Sequence, residues 1–167
     1  VWAPQTIYDR KAKKYMIYFT LQRNDRKSLI TYYAYANKDF TGFESEPKQL
    51  FSAKYGSIDN DIIEKDGTYH LFYKGNTKDE NGKEIKNGIQ QATSKSLKGK
   101  WKEDFKYLDA YAGKTPVEGS SIFKLNGKDE YVLMYDMYTS GRYEYQTSTD
   151  LYHFSEPVSY THLTLPT

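Results

Sequence analysis

One plan recurs three times along the chain at a nearly fixed interval, and that period restricts the possible folds more than any other feature. A marker of three polar residues followed by an apolar one appears as Asn37-Lys38-Asp39-Phe40, Ser94-Lys95-Ser96-Leu97 and Ser148-Thr149-Asp150-Leu151. Its copies start 57 residues apart (37 to 94) and then 54 apart (94 to 148). Each marker follows a hairpin pattern. Trp2-Ala3-Pro4-Gln5-Thr6-Ile7-Tyr8 leads through a basic turn to Tyr15-Met16-Ile17-Tyr18-Phe19, and Asp59 to Ile63 leads through Asp66-Gly67 to Tyr69-His70-Leu71-Phe72-Tyr73. The third copy runs from Glu118 to Phe123 through Asn126-Gly127 to Tyr131-Val132-Leu133-Met134-Tyr135. A repeat of this length built from short strands and turns predicts propeller blades rather than helical repeats.

The pattern predicts an all-β chain with no helix. Strands are expected near 4–8, 14–21, 28–36 and 43–51, then near 58–64, 68–75, 87–94 and 101–108, and finally near 119–125, 130–137, 142–148 and 154–158. The polar run Thr77 to Asn87, with its Asn81-Gly82 turn signal, reads as a long loop. The blades fall near 1–51, 52–110 and 111–158. Because propellers close with about 4 to 8 blades, three of them read as part of a larger ring. The string Ser159 to Thr167 carries no charge, continues no repeat and resembles the translation of sequencing-adaptor read-through. It is expected to be a non-native tail, which removes His162 from consideration. The chain opens on Val1 without a charged and apolar leader, so a secretion signal would lie upstream.

Charge narrows the choice of partner. The 24 basic and 22 acidic residues are interspersed and give a net charge of +2, so neither nucleic acid nor an anionic membrane is expected as a partner. No apolar run approaches the roughly 18 residues of a membrane span. Lys11, Lys13 and Lys14 read as a solvated turn. The absence of cysteine excludes thiol catalysis and disulfides from this sequence. Most of the 18 Tyr, 8 Phe and 2 Trp are expected to fill the space between blades.

In a propeller the first strand of each blade lines the central channel. Asp59 and Glu118 therefore open two neighbouring inner strands, at what reads as one repeat position. The loops after Leu21, Lys74 and Asp136 would share their face and ring the mouth with Gln22, Arg23, Asn76 and the segment Met137 to Arg142, including Tyr138. Two carboxylates converging on a cleft suit glycosidic bond hydrolysis, in which one acid protonates the leaving oxygen. A nearby Asp59 anion would raise the pKa of Glu118 and keep it protonated. Taken singly, each acid also fits an ordinary turn or solvated loop. Asp59-Asn60-Asp61 lacks the Gly and distal Glu of a calcium loop, and His70 and His153 read as structural, so no metal and no cofactor is expected.

Trp2-Ala3-Pro4 before a strand, Ile58-Asp59 opening the next blade, Glu118-Gly119 one blade later and the Ser148-Thr149-Asp150-Leu151 marker resemble glycoside hydrolase family 43. The resemblance spans roughly residues 1 to 158. It implies a five-bladed propeller and an inverting attack on plant cell-wall sugars, commonly arabinofuranosides, xylosides or arabinan, with galactan as an alternative. It also implies an oligosaccharide or polysaccharide as the partner and a secreted or periplasmic location. Glu118 would be the general acid, Asp59 the carboxylate that tunes it, and Trp2 and Ile58 part of the sugar pocket, with Tyr138 and Arg142 as further substrate contacts from the mouth.

The family's general base is an Asp opening the blade before Trp-Ala-Pro, which this sequence does not include. Pro4 and Gln5 are read as holding the corresponding position here, and neither can act as a base. The piece alone is therefore expected to be inactive. A sugar-binding propeller without catalysis is the main competitor. A Trp-Asp repeat propeller lacks its signature pairs here, and the sucrose and fructan hydrolases would require Arg-Asp-Pro and Glu-Cys.

Overall fold

The computed structural model describes residues 1–22, 24, 29–78, 81, 84–104 and 116–160. The described residues form twelve strands: β1 (Trp2–Asp9), β2 (Lys14–Gln22), β3 (Leu29–Tyr35), β4 (Lys48–Phe51), β5 (Ile58–Lys65), β6 (Thr68–Lys78), β7 (Glu84–Ser94), β8 (Lys102–Asp104), β9 (Glu118–Lys124), β10 (Tyr131–Met137), β11 (Arg142–Ser148) and β12 (Val158–Tyr160). They make three four-stranded antiparallel meanders, β1 to β4, β5 to β8 and β9 to β12. These are three blades of a β-propeller, and their first strands β1, β5 and β9 lie against one another in sequence order.

Alternation along the strands explains the stacking. In β2, Met16 and Tyr18 are fully buried and face blade two, where Leu71, Tyr73 and Ala92 complete the same apolar layer with Phe51. Blade two turns Phe72 and Ile89 the other way, against Ile122, Leu133, Tyr135 and Leu151 of blade three. A middle blade thus contributes alternate residues of one strand to two different interfaces, which is why Leu71, Phe72 and Tyr73 are all apolar.

The markers turn the chain between third and fourth strands. The Ser148 hydroxyl accepts from the amides of Asp150 and Leu151, at 3.2 and 2.8 Å. Leu97 and Leu151 plug the two blade interfaces, whereas Phe40, at the same repeat position in blade one, stays 53% exposed.

Three boundaries differ from the sequence reading. The expected loop from Thr77 to Asn87 is largely strand: β6 and β7 continue as a hairpin arm, with Thr77 opposite Ile85 and Lys78 opposite Glu84, beyond a bulge at Gly75 to Thr77. The sequence of the arm shows no alternating apolar pattern, so nothing there announced a strand. In blade one the fourth strand is short, and Phe43 meets Ala36 only as an isolated bridge. In blade three the outer strand is Val158–Tyr160 rather than 154–158, and it pairs with Tyr143 to Tyr145. Ser159 and Tyr160 of the expected tail therefore join a blade, and residues 161–167 lie outside the described residues. So do residues 105–108 of the expected strand 101–108.

Candidate active site

Each inner strand begins with the same distortion. Ala3, Asp59 and Gly119 have positive φ values of 45°, 55° and 67°, and each lies next to a break in strand register. The residues before them pair across the hairpin as Trp2 with Thr20, Ile58 with Lys74 and Glu118 with Asp136. This register corrects the sequence reading. Trp2, Ile58 and Glu118 are equivalent, as are Ala3, Asp59 and Gly119, so the two acids stand one residue apart in the repeat rather than at the same position. Blade one offers Trp2 and Ala3 at this pair of positions, not Pro4 and Gln5.

A bulge bends the strand and re-aims the residues beside it. Here the bulges of the three blades surround a hollow of about 140 Å³, lined by Ala3, Pro4 and Gln5 of β1, Asp59 and Asn60 of β5, and Gly119, Ser120 and Ser121 of β9. Asp59 reaches across to the next blade. Its Oδ2 accepts from the Gly119 amide at 2.9 Å, and its carbonyl accepts from the Ser120 hydroxyl at 2.5 Å. The acid of one blade thereby clamps the strand opening that carries the other acid.

Glu118 lies beside this hollow rather than in its wall, and its Oε2 meets Lys74 Nζ at 2.5 Å. The same ammonium lies 4.8 Å over the ring of Tyr138. Burial pushes the Asp59 carboxyl above its ordinary value, the Gly119 amide pulls it down, the Glu118 charge pushes it up, and Lys74 pulls it down. Like-charge coupling between the acids is therefore present, with Asp59 as the carboxyl it raises. Lys74 acts on both acids, which places them in one electrostatic neighbourhood.

The structure thus brings Asp59, Glu118 and Tyr138 together and adds Lys74, which the sequence reading did not single out. Ile58 is half-buried and pairs with Lys74 across the hairpin. Trp2 opens β1 with 44% of its surface exposed, next to Ala3 of the hollow. Arg142 opens β11 on the exposed side of the turn that holds Tyr138, and among the described residues it forms no ion pair with either acid. Gln22 ends β2, Asn76 lies on β6, and Arg23 lies outside the described residues.

Asp61 has a structural task. Its Oδ1 accepts from the Tyr18 hydroxyl and the Ile62 amide, both at 3.0 Å, and its Oδ2 accepts from the Ile122 amide at 2.8 Å. One carboxylate thus ties three blades together behind the hollow. Beside it, the buried Asn60 amide donates to Thr20 Oγ1 at 3.0 Å. His70 is buried against Gln91, and His153 pairs with Asp150 on the surface.

Residues 1–166 match the family described as a probable glycosyl hydrolase domain related to glycoside hydrolase family 43. No curated protein matches the sequence. Among solved structures, the chain is similar to the catalytic domain of the Coprinopsis cinerea GH62 α-L-arabinofuranosidase, at TM-score 0.63 and 16% identity over 92% of this chain and 49% of that one. It is similar to the endo-arabinase of Bacteroides thetaiotaomicron VPI-5482, at 0.57 and 16% over 98% and 56%. A GH43 β-1,3-galactosidase solved with galactodeoxynojirimycin matches at 0.60 and 17% over 90% and 43%. The chain thus spans about half the length of each of these structures.

Proposed function

The chain belongs to the family-43-related group of glycosyl hydrolase domains, and from that premise we propose that it carries the acid side of an inverting glycosidase site acting on arabinofuranosyl or xylosyl linkages of plant cell-wall polysaccharides. The observation that carries this reading is the clamp from Asp59 to Gly119, which fixes Glu118 beside the axial hollow while Glu118 raises Asp59 in return. Glu118 is the general acid and Asp59 the carboxylate that orients and tunes it. With Lys74 on Oε2, the proton leaves from Oε1 to the glycosidic oxygen as the bond to the anomeric carbon breaks. Water attacks that carbon from the opposite face and gives its proton to a base carboxylate about 6.5 to 9.5 Å from the acid.

Blade one presents Trp2 and Ala3 where the next blades present Ile58-Asp59 and Glu118-Gly119, so it supplies no carboxylate at this repeat position. The base belongs to a preceding blade, and Trp2 and Tyr138 are the aromatic surfaces for the sugar. A polysaccharide substrate of this kind fits a secreted or periplasmic protein.

The test compares the 167-residue chain with a version extended by the preceding gene sequence, on aryl arabinofuranosides, xylosides and galactosides and on arabinan. Turnover is expected from the extended protein only. In it, Glu118→Gln should lower kcat by about 100-fold or more on poor leaving groups, in line with general-acid contributions, and by much less on activated ones. Equal losses on both would reject the acid role. Preference for the galactosides would favour a galactan-active enzyme.

One observation favours a second reading. A Glu118 carboxylate held by Lys74 can accept hydrogen bonds from sugar hydroxyls without transferring a proton. An extended protein that binds arabinan but cleaves none of the panel would make this a sugar-binding propeller.

A further inference from the structure

Lys74 has no counterpart in the repeat. At the position facing the first residue of each inner strand, blade one has Thr20, blade three has Asp136 and blade two has this lysine. Propeller geometry therefore does not require a cation there. Blade one meets its structural need with a small hydroxyl, which takes the Asn60 amide across the interface.

The lysine is also partly withdrawn from water, with a side chain only 17% exposed. Desolvating an ammonium is costly unless partners replace its hydration. It has two. Glu118 Oε2 lies 2.5 Å from its nitrogen, and the Tyr138 ring lies 4.8 Å below it. The three groups come from β6, β9 and the turn after β10, so the contact joins blade two to blade three at the edge of the hollow. A free glutamate side chain samples several rotamers, and a charge-assisted bond to one oxygen selects among them.

We propose that Lys74 is a positioning residue of this site: sandwiched between Glu118 and Tyr138, its ammonium fixes the orientation of the Glu118 carboxylate at the edge of the hollow. The proposal rests on the acid role assigned to Glu118 above. Among the described residues, the charged and titratable groups beside this cluster are Glu118 on β9, Asp59 on β5, Asp136 of β10, which pairs with Glu118 across the hairpin, and Tyr138, whose ring lies under the ammonium. Lys74 is the cation among them. Removing it takes away the attraction that favours the ionised Asp59 carboxylate.

The test is a carbon-13 NMR titration of the Asp59 and Glu118 carboxyls in the 167-residue chain, comparing the parent with Lys74→Met and Lys74→Arg. Methionine keeps the apolar stem over Tyr138 but drops the charge. In Lys74→Met the Asp59 midpoint should rise, because the lysine charge that pulls it down is gone, the Glu118 carboxyl signal should shift at fixed pH as its orientation is released, and Lys74→Arg should restore most of both. An unmoved Glu118 signal in a folded Lys74→Met chain would overturn the proposal.

Should that variant fail to fold, Glu118→Gln provides the reverse reading, since the carbon-13 signal of Lys74 Cε should then shift at fixed pH as its partner is lost, and an unmoved lysine signal would be equally fatal. These outcomes separate from the functional reading. Shifted signals in a protein whose extended form cleaves no sugar would reject the hydrolase, whereas turnover with unmoved signals would reject only the role of Lys74.

Discussion

At the scale of single residues, His70 has its protonation state set by packing. It is 2% exposed, and Gln91 Nε2 donates both to its Nδ1 at 2.9 Å and to the Leu151 carbonyl at 2.8 Å. The amide orientation follows from the carbonyl partner, so Nδ1 accepts and the neutral ring carries its proton on Nε2. Burial first, then Lys95 and Lys65, lowers its pKa from 6.5 to about 4. Between these values the unfolded chain binds a proton that the folded one does not, so folding stability from this residue is full above about pH 6.5 and is lost as pH falls toward 4. The loss is roughly 3 kcal/mol at 1.4 kcal/mol per unit. Urea titrations across that range should show a clearly shallower slope in His70→Gln, and parallel slopes would contradict the assignment.

Single residues were also where the sequence was most and least readable. Asp59 and Glu118 stood out because acids at strand openings are conspicuous. Their one-residue offset did not, because it depends on a bulge and on the cross-strand partners Lys74 and Asp136. Lys74 was hidden for the same reason. Nothing in a string of residues says that a lysine on a second strand reaches a glutamate 44 positions later.

At the scale of elements, the recurring device is the bulged opening of β1, β5 and β9. The left-handed region costs an L-residue about 1 to 2 kcal/mol and glycine almost nothing. Blade three uses Gly119 for this conformation, whereas blades one and two accept Ala3 and Asp59. At Asp59 the strain is offset by the hydrogen bond to Gly119. A Cβ added at Gly119 would meet only the Asp136 Cβ at 3.8 Å, so space is not the obstacle. Gly119→Ala should therefore destabilise the chain by about 1 kcal/mol through the backbone alone, with Gly119→Asn costing less because Asn tolerates this region. Chemical denaturation would measure both, and an alanine variant as stable as the parent would show that the opening relaxes.

The repeat made the element order readable: hairpins at Asp66-Gly67 and Asn126-Gly127 appear where the turn chemistry placed them. The extended β6–β7 arm is not legible in the same way, because its polar sequence, with the Asn81-Gly82 turn signal, reads as a loop.

At the scale of the whole molecule, burial is decided by whether a blade has a neighbour on a given face. Phe40 and Leu151 occupy the same marker position with nearly the same backbone, φ 58° and 65°. Leu151 is fully buried between blades two and three, and Phe40 lies on the outer face of blade one, beside the exposed rings of Tyr15 and Tyr8. The sequence showed the two as equivalent and could not show that difference, since a repeat encodes the blade and not its company. Truncation should separate them. Leu151→Ala removes a fully packed side chain and should cost about 2 to 5 kcal/mol, while Phe40→Ala should change stability by no more than about 0.5 kcal/mol, as expected for an exposed site. Both variants keep a Cβ at positive φ, so backbone strain cancels from the comparison. Equal losses would mean that the outer face of blade one is covered in solution, and the packing order inferred for the three blades would have to be redrawn.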